Sequence, residues 1–413
     1  MSHPIRNRAL VILILGSLST ISPFAIDMYL PAFKGIASSL DTSTARVTLS
    51  VSSYFAGLAA GQLFYGPLLD RFGRKRPLFA GLFLFIAASL LCLISQSVGW
   101  LVAMRFVQGL GGCAAQVAAM AMVRDFFPVQ ETAKIISLLI LILGVSPLLA
   151  PTVGGFLSDY WGWRSVFVAL ALFAAFNLAI CYWYLPEGHQ PDKSVSLRPM
   201  PIMRNFAAVL KEPQFITYSL AGAFSFSGLL VYVANASIIF METYRMDAHR
   251  FGMTFACLAA GFIGSNQINV LLLKRFASAQ IFTTTLVFEC FVALLFLVGT
   301  VNGWFSLTAT LALFFIVLSS LGLAYPNAAA LSLCPFDHNI GSASAMLGFL
   351  QIGISGLASA VASADMFNSR QMFAVVLVLA VMSWVGLAIL FIGKRKIGQV
   401  RYVEETGATP IGH

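Results

Sequence analysis

Few side chains in this sequence could do chemistry, and they stand out because their surroundings are so apolar. Of 413 residues, 59% are hydrophobic and only 10% charged, so an ionisable group deep in an apolar run is costly and calls for a reason. Asp27 is the only charged residue between Arg8 and Lys34. A carboxylate there must be paired, hydrated or protonated, and its position fits either an interfacial aspartate or a proton-exchanging group. Arg105 lies near the start of another apolar run, with Gln108, Gly112 and Gln116 following at helical spacing on one face. It either snorkels to the nearby surface or is a buried cation that sets the acidity of a carboxylate. Glu289, in the run VFECF, is the acid nearest the middle of a span and on position alone the leading proton site. The five histidines, at 3, 189, 249, 338 and 413, fall in termini or short polar connections, so buried proton exchange is left to carboxylates.

The composition describes a polytopic all-α membrane protein, since no water-soluble domain tolerates this balance. The net charge of +9 belongs to topology: no basic tract is interleaved with aromatics, and no nucleic-acid partner is expected. Six cysteines (92, 113, 181, 257, 290, 334) lack metal-ligand spacing and read as small apolar residues. No nucleotide-binding motif or catalytic constellation is present, so no enzyme activity, metal or cofactor is expected. The first apolar run lacks a small-residue cleavage site and is expected to stay as a helix.

Twelve apolar segments of spanning length run roughly over 8–31, 44–69, 77–97, 99–124, 132–158, 163–185, 213–241, 248–273, 279–299, 303–332, 339–364 and 370–393. They predict a six-helix bundle over 1–185, a proline-rich linker over 186–212 with little regular structure, a second six-helix bundle over 213–393 and a tail over 394–413. Only seven of the 25 Lys and Arg (Lys34, Arg46, Arg105, Arg164, Arg245, Arg250, Arg370) fall outside or within a span when the amino terminus is placed inside. Both termini are therefore expected in the cytoplasm.

Small residues mark four of these segments as closely packed. Segment 2 has Gly57 and Gly61, and segment 8 has Ala256, Ala260 and Gly264. Segment 11 has Ser344, Gly348, Ser355, Ser359 and Ser363, and segment 5 has Gly144, Pro147, Pro151, Gly154 and Gly155. Segment 5 is expected to be kinked and packed on segment 8 through Gly154. Between segments 2 and 3, Gly66, Asp70, Arg71, Gly73 and Arg74 form a surface loop, with glycines permitting a tight reversal and an acid among bases that a plain anchor would not need. Asp70 is expected to be held by the amino end of segment 11 or by a nearby arginine. Asp365 is expected to pair with Arg370 at the end of segment 11.

The loop matches the pattern G-x-x-x-D-R-x-G-R-[RK]. With RFVQGLGG at 105–112 and GVSPLLAPTVGG at 144–155 it resembles three successive motifs of the major facilitator superfamily. DMYLP at 27–31, GWR at 162–164, YPNA at 325–328 and GSASAMLGFLQ at 341–351 make the chain similar to the bicyclomycin-resistance and chloramphenicol-efflux branch of drug:proton antiporters. The resemblance implies twelve transmembrane helices in two halves that rock about segments 2, 5, 8 and 11, and a monomer in the bacterial inner membrane. It further implies proton coupling through Asp27 and Arg105, and export of a small amphiphile. Segment 9 lies outside the cavity-lining set in that family, which leaves Glu289 a structural role, either protonated or partner-bonded. Candidate substrate contacts on the cavity-lining segments are Tyr29, Gln116, Tyr232, Asn235 and Tyr325. Ala236-Ser237 replaces a Ser-Pro pair frequent in the branch, so the end of segment 7 is expected to differ in shape. A specific metabolite or siderophore transporter on the same scaffold is the alternative.

Overall fold

A computed structural model describes residues 8–188, 191–192, 199–336, 340–364, 371–397 and 400, without the side chains at 129, 130, 132–134, 136, 137, 140 and 141. Asp365 and Arg370 lie outside the described residues. The first span is α1 (Arg8–Asp27), a 3-10 turn (Leu30–Ala32) and α2 (Phe33–Ser39). Then follow α3 (Thr44–Phe72), α4 (Lys75–Leu93), α5 (Val98–Phe126), α6 (Val129–Trp161) and α7 (Arg164–Tyr184). The short α8 (Pro199–Leu210) precedes α9 (Pro213–Ser237), which a π turn (Ile238–Thr243) extends, and α10 (Ala248–Leu272), α11 (Ser278–Val301), α12 (Leu307–Leu333), α13 (Ile340–Ala362) and α14 (Gln371–Lys394) complete the chain. Twelve of these elements are long and apolar enough to cross a membrane, and among the described residues there is no strand.

Successive spans run antiparallel, giving a basic face at the 66–76 turn and a far face at 40–43 and 94–97. On the far face, Ser43, Ser97, Asp247 and Ser306 each accept a hydrogen bond from the backbone N–H three residues on, starting α3, α5, α10 and α12. Exposed Tyr160, Trp161 and Trp304 on the far side and Tyr182, Trp183 and Tyr184 on the basic side form the aromatic levels of a bilayer. Between them, side chains such as Phe83, Leu172, Phe291 and Leu357 point outward, where only lipid can accept them.

Six pairings build the first bundle: α1 on α5, α6 and α7, α3 on α5, and α4 on α5 and α7. The equivalent six recur in the second: α9 on α12, α13 and α14, α10 on α12, and α11 on α12 and α14. The bundles meet through α3 on α13 and α6 on α10, the pairs that segments 2, 5, 8 and 11 anticipate. Gly348, Gly353 and Gly356 of α13 face Gln62, Ala59 and Phe55 of α3, and Ser52 Oγ donates to Ser359 Oγ at 3.0 Å.

The small residues do not all serve that contact. Gly57 and Gly61 face Phe106 and Cys113 of α5 within their own bundle, and Gly264 meets nothing. Gly154 faces the backbone of Met28 rather than α10; its neighbour Gly155 meets Ala248 of α10, and Gly144 meets Ile263. A helix has about 100° per residue, so adjacent glycines serve different partners. The linker also departs from expectation, because α8 is helical. Pro199 and Pro201 stand in its first turn, where the missing N–H costs nothing, and Phe206 and Val209 pack with Phe215, Ala343 and Met346. Gly66 is helical too, since α3 continues through Pro67 to Phe72. The reversal falls on Gly73 alone, whose φ of +82° a side chain would resist.

Gly154→Ala drives a methyl into the Met28 carbonyl and is expected to destabilise the purified protein by about 1–3 kcal/mol. Gly264→Ala, into open space, leaves the melting temperature unchanged or higher. Equal melting temperatures for the two variants would refute the distinction.

Candidate functional site

The centre of the molecule is organised by a helix that stops. Pro31 has no N–H to donate to the carbonyl of Asp27 four residues earlier, so α1 ends at Asp27 and the chain turns through Met28 and Tyr29. Gly154 lets α6 press against the backbone at Met28. Asp27 is buried at the break, 6% exposed. Ser146 Oγ of α6 lies beside its carboxyl, near enough to influence it but outside hydrogen-bond geometry. From the other bundle, the buried Tyr232 hydroxyl lies close enough for an electrostatic interaction with Asp27. Each residue stands nineteen positions into its span, about 28 Å along.

Arg105 is fully buried in α5, and among the described residues its partners include no carboxylate. It donates to Gln108 Oε1 at 2.5 Å and to the Ala25 carbonyl at 3.0 Å, and its guanidinium carbon sits 4.6 Å from the Tyr29 ring centroid and 4.4 Å from that of Tyr54. Gln108 passes the network to Ser89 Oγ of α4 at 2.7 Å. Arg105 Nε, Tyr54 OH and Ser22 Oγ remain without a hydrogen bond among the described residues, and a Cβ on Gly112 would fill the space beside the last two. Buried donors left unmatched are costly, and their gathering here marks a site kept polar for use. Arg105 therefore touches α1 through Ala25 and Tyr29 instead of pairing with Asp27.

The five candidate substrate contacts do not form one wall. The Tyr29 hydroxyl is 2.8 Å from Ser50 Oγ, and Asn235 accepts from Ser363 Oγ at 3.1 Å while donating to the Val231 carbonyl. Gln116 and the Tyr325 ring, tilted at 4.8 Å from Phe226, are half-buried; each lies eighteen residues from the far-face end of its helix, nearer the basic face than Asp27. Where the Ser-Pro pair is missing, α9 passes directly into the π turn, and Lys34 Nζ donates to the Met241 carbonyl there at 3.2 Å, joining the bundles on the far face. Glu289 is bonded at both oxygens, by Ser225 of α9 at 2.6 Å and Ser383 of α14 at 2.5 Å.

At the basic face the alternative of a nearby arginine describes Asp70. Arg74 Nη1 lies 2.7 Å from Asp70 Oδ1, and Arg74 Nε lies 2.7 Å from Asp125 Oδ2 of α5. Burial opposes the Arg74 charge, but the bonds to Asp125 and Asp70 more than offset it and push its pKa upward. Glu187 caps α4 by accepting from the backbone N–H groups of Arg74 and Lys75. Arg71 lies over Phe72, and the Asp70 carbonyl accepts from the Asp192 N–H of the linker at 3.1 Å, so the turn is held to the linker as well as to its own bundle. Sequence reasoning missed Ser146, Tyr54, Ser22 and Glu187. Ser146 stood unremarked between Val145 and Pro147 in a motif read for its prolines and glycines.

The sequence profile of the Major Facilitator Superfamily matches residues 15–363. The bicyclomycin resistance protein homolog of Haemophilus influenzae is 32% identical over 379 residues, covering 89% of this chain and 92% of that protein. The multidrug resistance protein MdtL of Escherichia coli is 32% identical over 337 residues, 81% of this chain and 83% of that one. Among solved structures, a bacterial homolog of the human lysosomal transporter Spinster, inward-facing and unoccupied, shares the fold at a TM-score of 0.72 and 17% identity, over 98% of this chain and all of that one. With most of its length matched and its twelve helices in two equivalent bundles, the chain belongs to the major facilitator superfamily of membrane transporters.

Proposed function

We propose that the protein exports small amphiphilic compounds, drugs among them, in exchange for protons. In this reading a monomer in the bacterial inner membrane, with both termini cytoplasmic, rocks its bundles 1–185 and 213–393 about the α3–α13 and α6–α10 contacts. The linker 186–212 joins the bundles and 394–413 forms a cytoplasmic tail. The resistance named for two relatives supports the cargo class, and the sparse fixed charge around Gln116 and Tyr325 suits an amphiphile. The observation that carries the reading is Asp27, a buried acid at a helix break, beside the plane where the bundles meet and, among the described residues, without a paired cation.

Rocking changes which side's water reaches that break, so a proton taken up from one side is released to the other. One proton crossing 100 mV supplies about 2.3 kcal/mol. Each pH unit adds about 1.4 kcal/mol, and the two together, about 3.7 kcal/mol, suffice for a solute gradient of more than about a hundredfold. Arg105, held against α1 through Ala25 and Tyr29, keeps a positive field near the break and favours departure of the proton.

In proteoliposomes with an imposed pH gradient and a panel of amphiphiles led by bicyclomycin, Asp27→Asn is expected to reduce gradient-driven transport to the background of empty vesicles while counterflow exchange persists. Gradient-driven transport by the variant at the wild-type rate would contradict the assignment. At the basic face, Asp70 is half exposed and its bond to Arg74 contributes less than about 1 kcal/mol, so Asp70→Asn leaves thermal stability nearly unchanged. The variant is expected to raise labelling of cysteines placed on the cytoplasmic side, because Asp70 secures the state in which that side is closed; unaltered labelling would count against it.

A further inference from the structure

The acid at the break belongs to the first bundle, so a coupled transporter needs the second bundle to register whether the proton is present. No charged residue lies on α9 to do so. Tyr232 offers something else. Its hydroxyl is buried and has no hydrogen-bond partner among the described residues, a costly condition for a phenol. Its ring cannot swing away, being stacked 5.9 Å from Phe255, tilted 5.2 Å from Phe314 and edge-on 6.4 Å from Phe240. The turn Leu30–Ala32, which follows Asp27 by three residues, packs against α9, and the Tyr232 hydroxyl lies close enough to Asp27 for an electrostatic interaction.

The other titratable and charged groups around the break have neighbours of their own. Arg105 of α5 is bonded to Gln108 and Ala25, Tyr29 is bonded to Ser50, and Tyr54 of α3 lies against Ser22. From α6 only the Ser146 hydroxyl stands beside Asp27, the charges of α7 are confined to its end at Arg164, and Cys257 of α10 lies near Tyr232. Tyr232 is thus the unbonded phenol that the second bundle brings toward the carboxyl.

We propose that Tyr232 is a positioning residue that donates a hydrogen bond to Asp27 once the proton has left and so ties the second bundle to the first. A phenol bonds a carboxylate more strongly than a neutral carboxyl, so protonation loosens the tie, which holds the deprotonated protein against rocking while it is empty of cargo. This rests on Asp27 as the exchanging group, and the test keeps the two ideas apart.

The probe is the protonated-carboxyl stretch in infrared spectra of purified, ligand-free protein, followed as pH is raised. Asp27→Asn is expected to remove a titrating band. Tyr232→Phe, which keeps the ring and loses the donor, is expected to shift the midpoint of that band upward by about one pH unit. Phe255→Leu loosens the same aromatic cage without touching the donor and leaves the midpoint in place. If Asp27→Asn removes the band but Tyr232→Phe leaves the midpoint unmoved, or Phe255→Leu shifts it equally, the tie is refuted and Asp27 stands. If no band is lost in Asp27→Asn, Asp27 itself is refuted and the tie falls with it.

Discussion

Pro31 cannot donate to the carbonyl of Asp27, and much of the molecule's centre follows from that missing bond. An unbroken helix would carry Asp27 along a uniform rod. The break instead places the carboxyl at a helix end, turns the chain over Met28, and leaves backbone where a neighbour must approach closely. Gly154 supplies that approach, and its neighbour Gly155 continues the contact into the other bundle at Ala248. One absent N–H thus links the candidate proton site to the surface on which the bundles meet. Irregular backbone at this depth is tolerated only where protein or water covers it, and the break lies inside the protein.

The two buried acids show how differently the same chemistry can be housed. Glu289 has a serine on each oxygen, from α9 and α14, and these bonds fasten three helices of one bundle. Asp27 has Ser146 beside it, outside hydrogen-bond geometry, and faces the other bundle. A fully bonded polar group rigidifies its surroundings, whereas a partly bonded one at a moving contact can change partners. Arg105 extends the contrast. Two aromatic faces and two hydrogen bonds hold it in place, yet one of its donors stays free beside other unmatched groups.

Much of this was legible in the sequence, because hydrophobic runs of about twenty residues admit one structural answer and charges inside them are conspicuous. The spans could be read that way; position left open whether Asp27 and Arg105 were interfacial or buried, and the pairing across the bundles rested on small-residue spacing and the family resemblance. Which small residue faces which helix could not be read, since Gly154 and Gly155 differ by a single rotation of about 100°. The helix in the linker was hidden by its prolines, which count against a helix everywhere except in its first turn. Ser146 and Tyr54 were invisible because hydroxyls are common in spans, and only tertiary contacts distinguish the one beside a carboxyl from one bonded to its own helix.

Exchange of cargo for protons requires that cargo binding be linked to proton release, and Asp27 is the group proposed to release the proton. The most direct test of that linkage is to add a transported compound to purified protein in weak buffer and record the pH. Wild type is predicted to release protons on binding and Asp27→Asn to bind without release; equal release from both proteins would contradict the account.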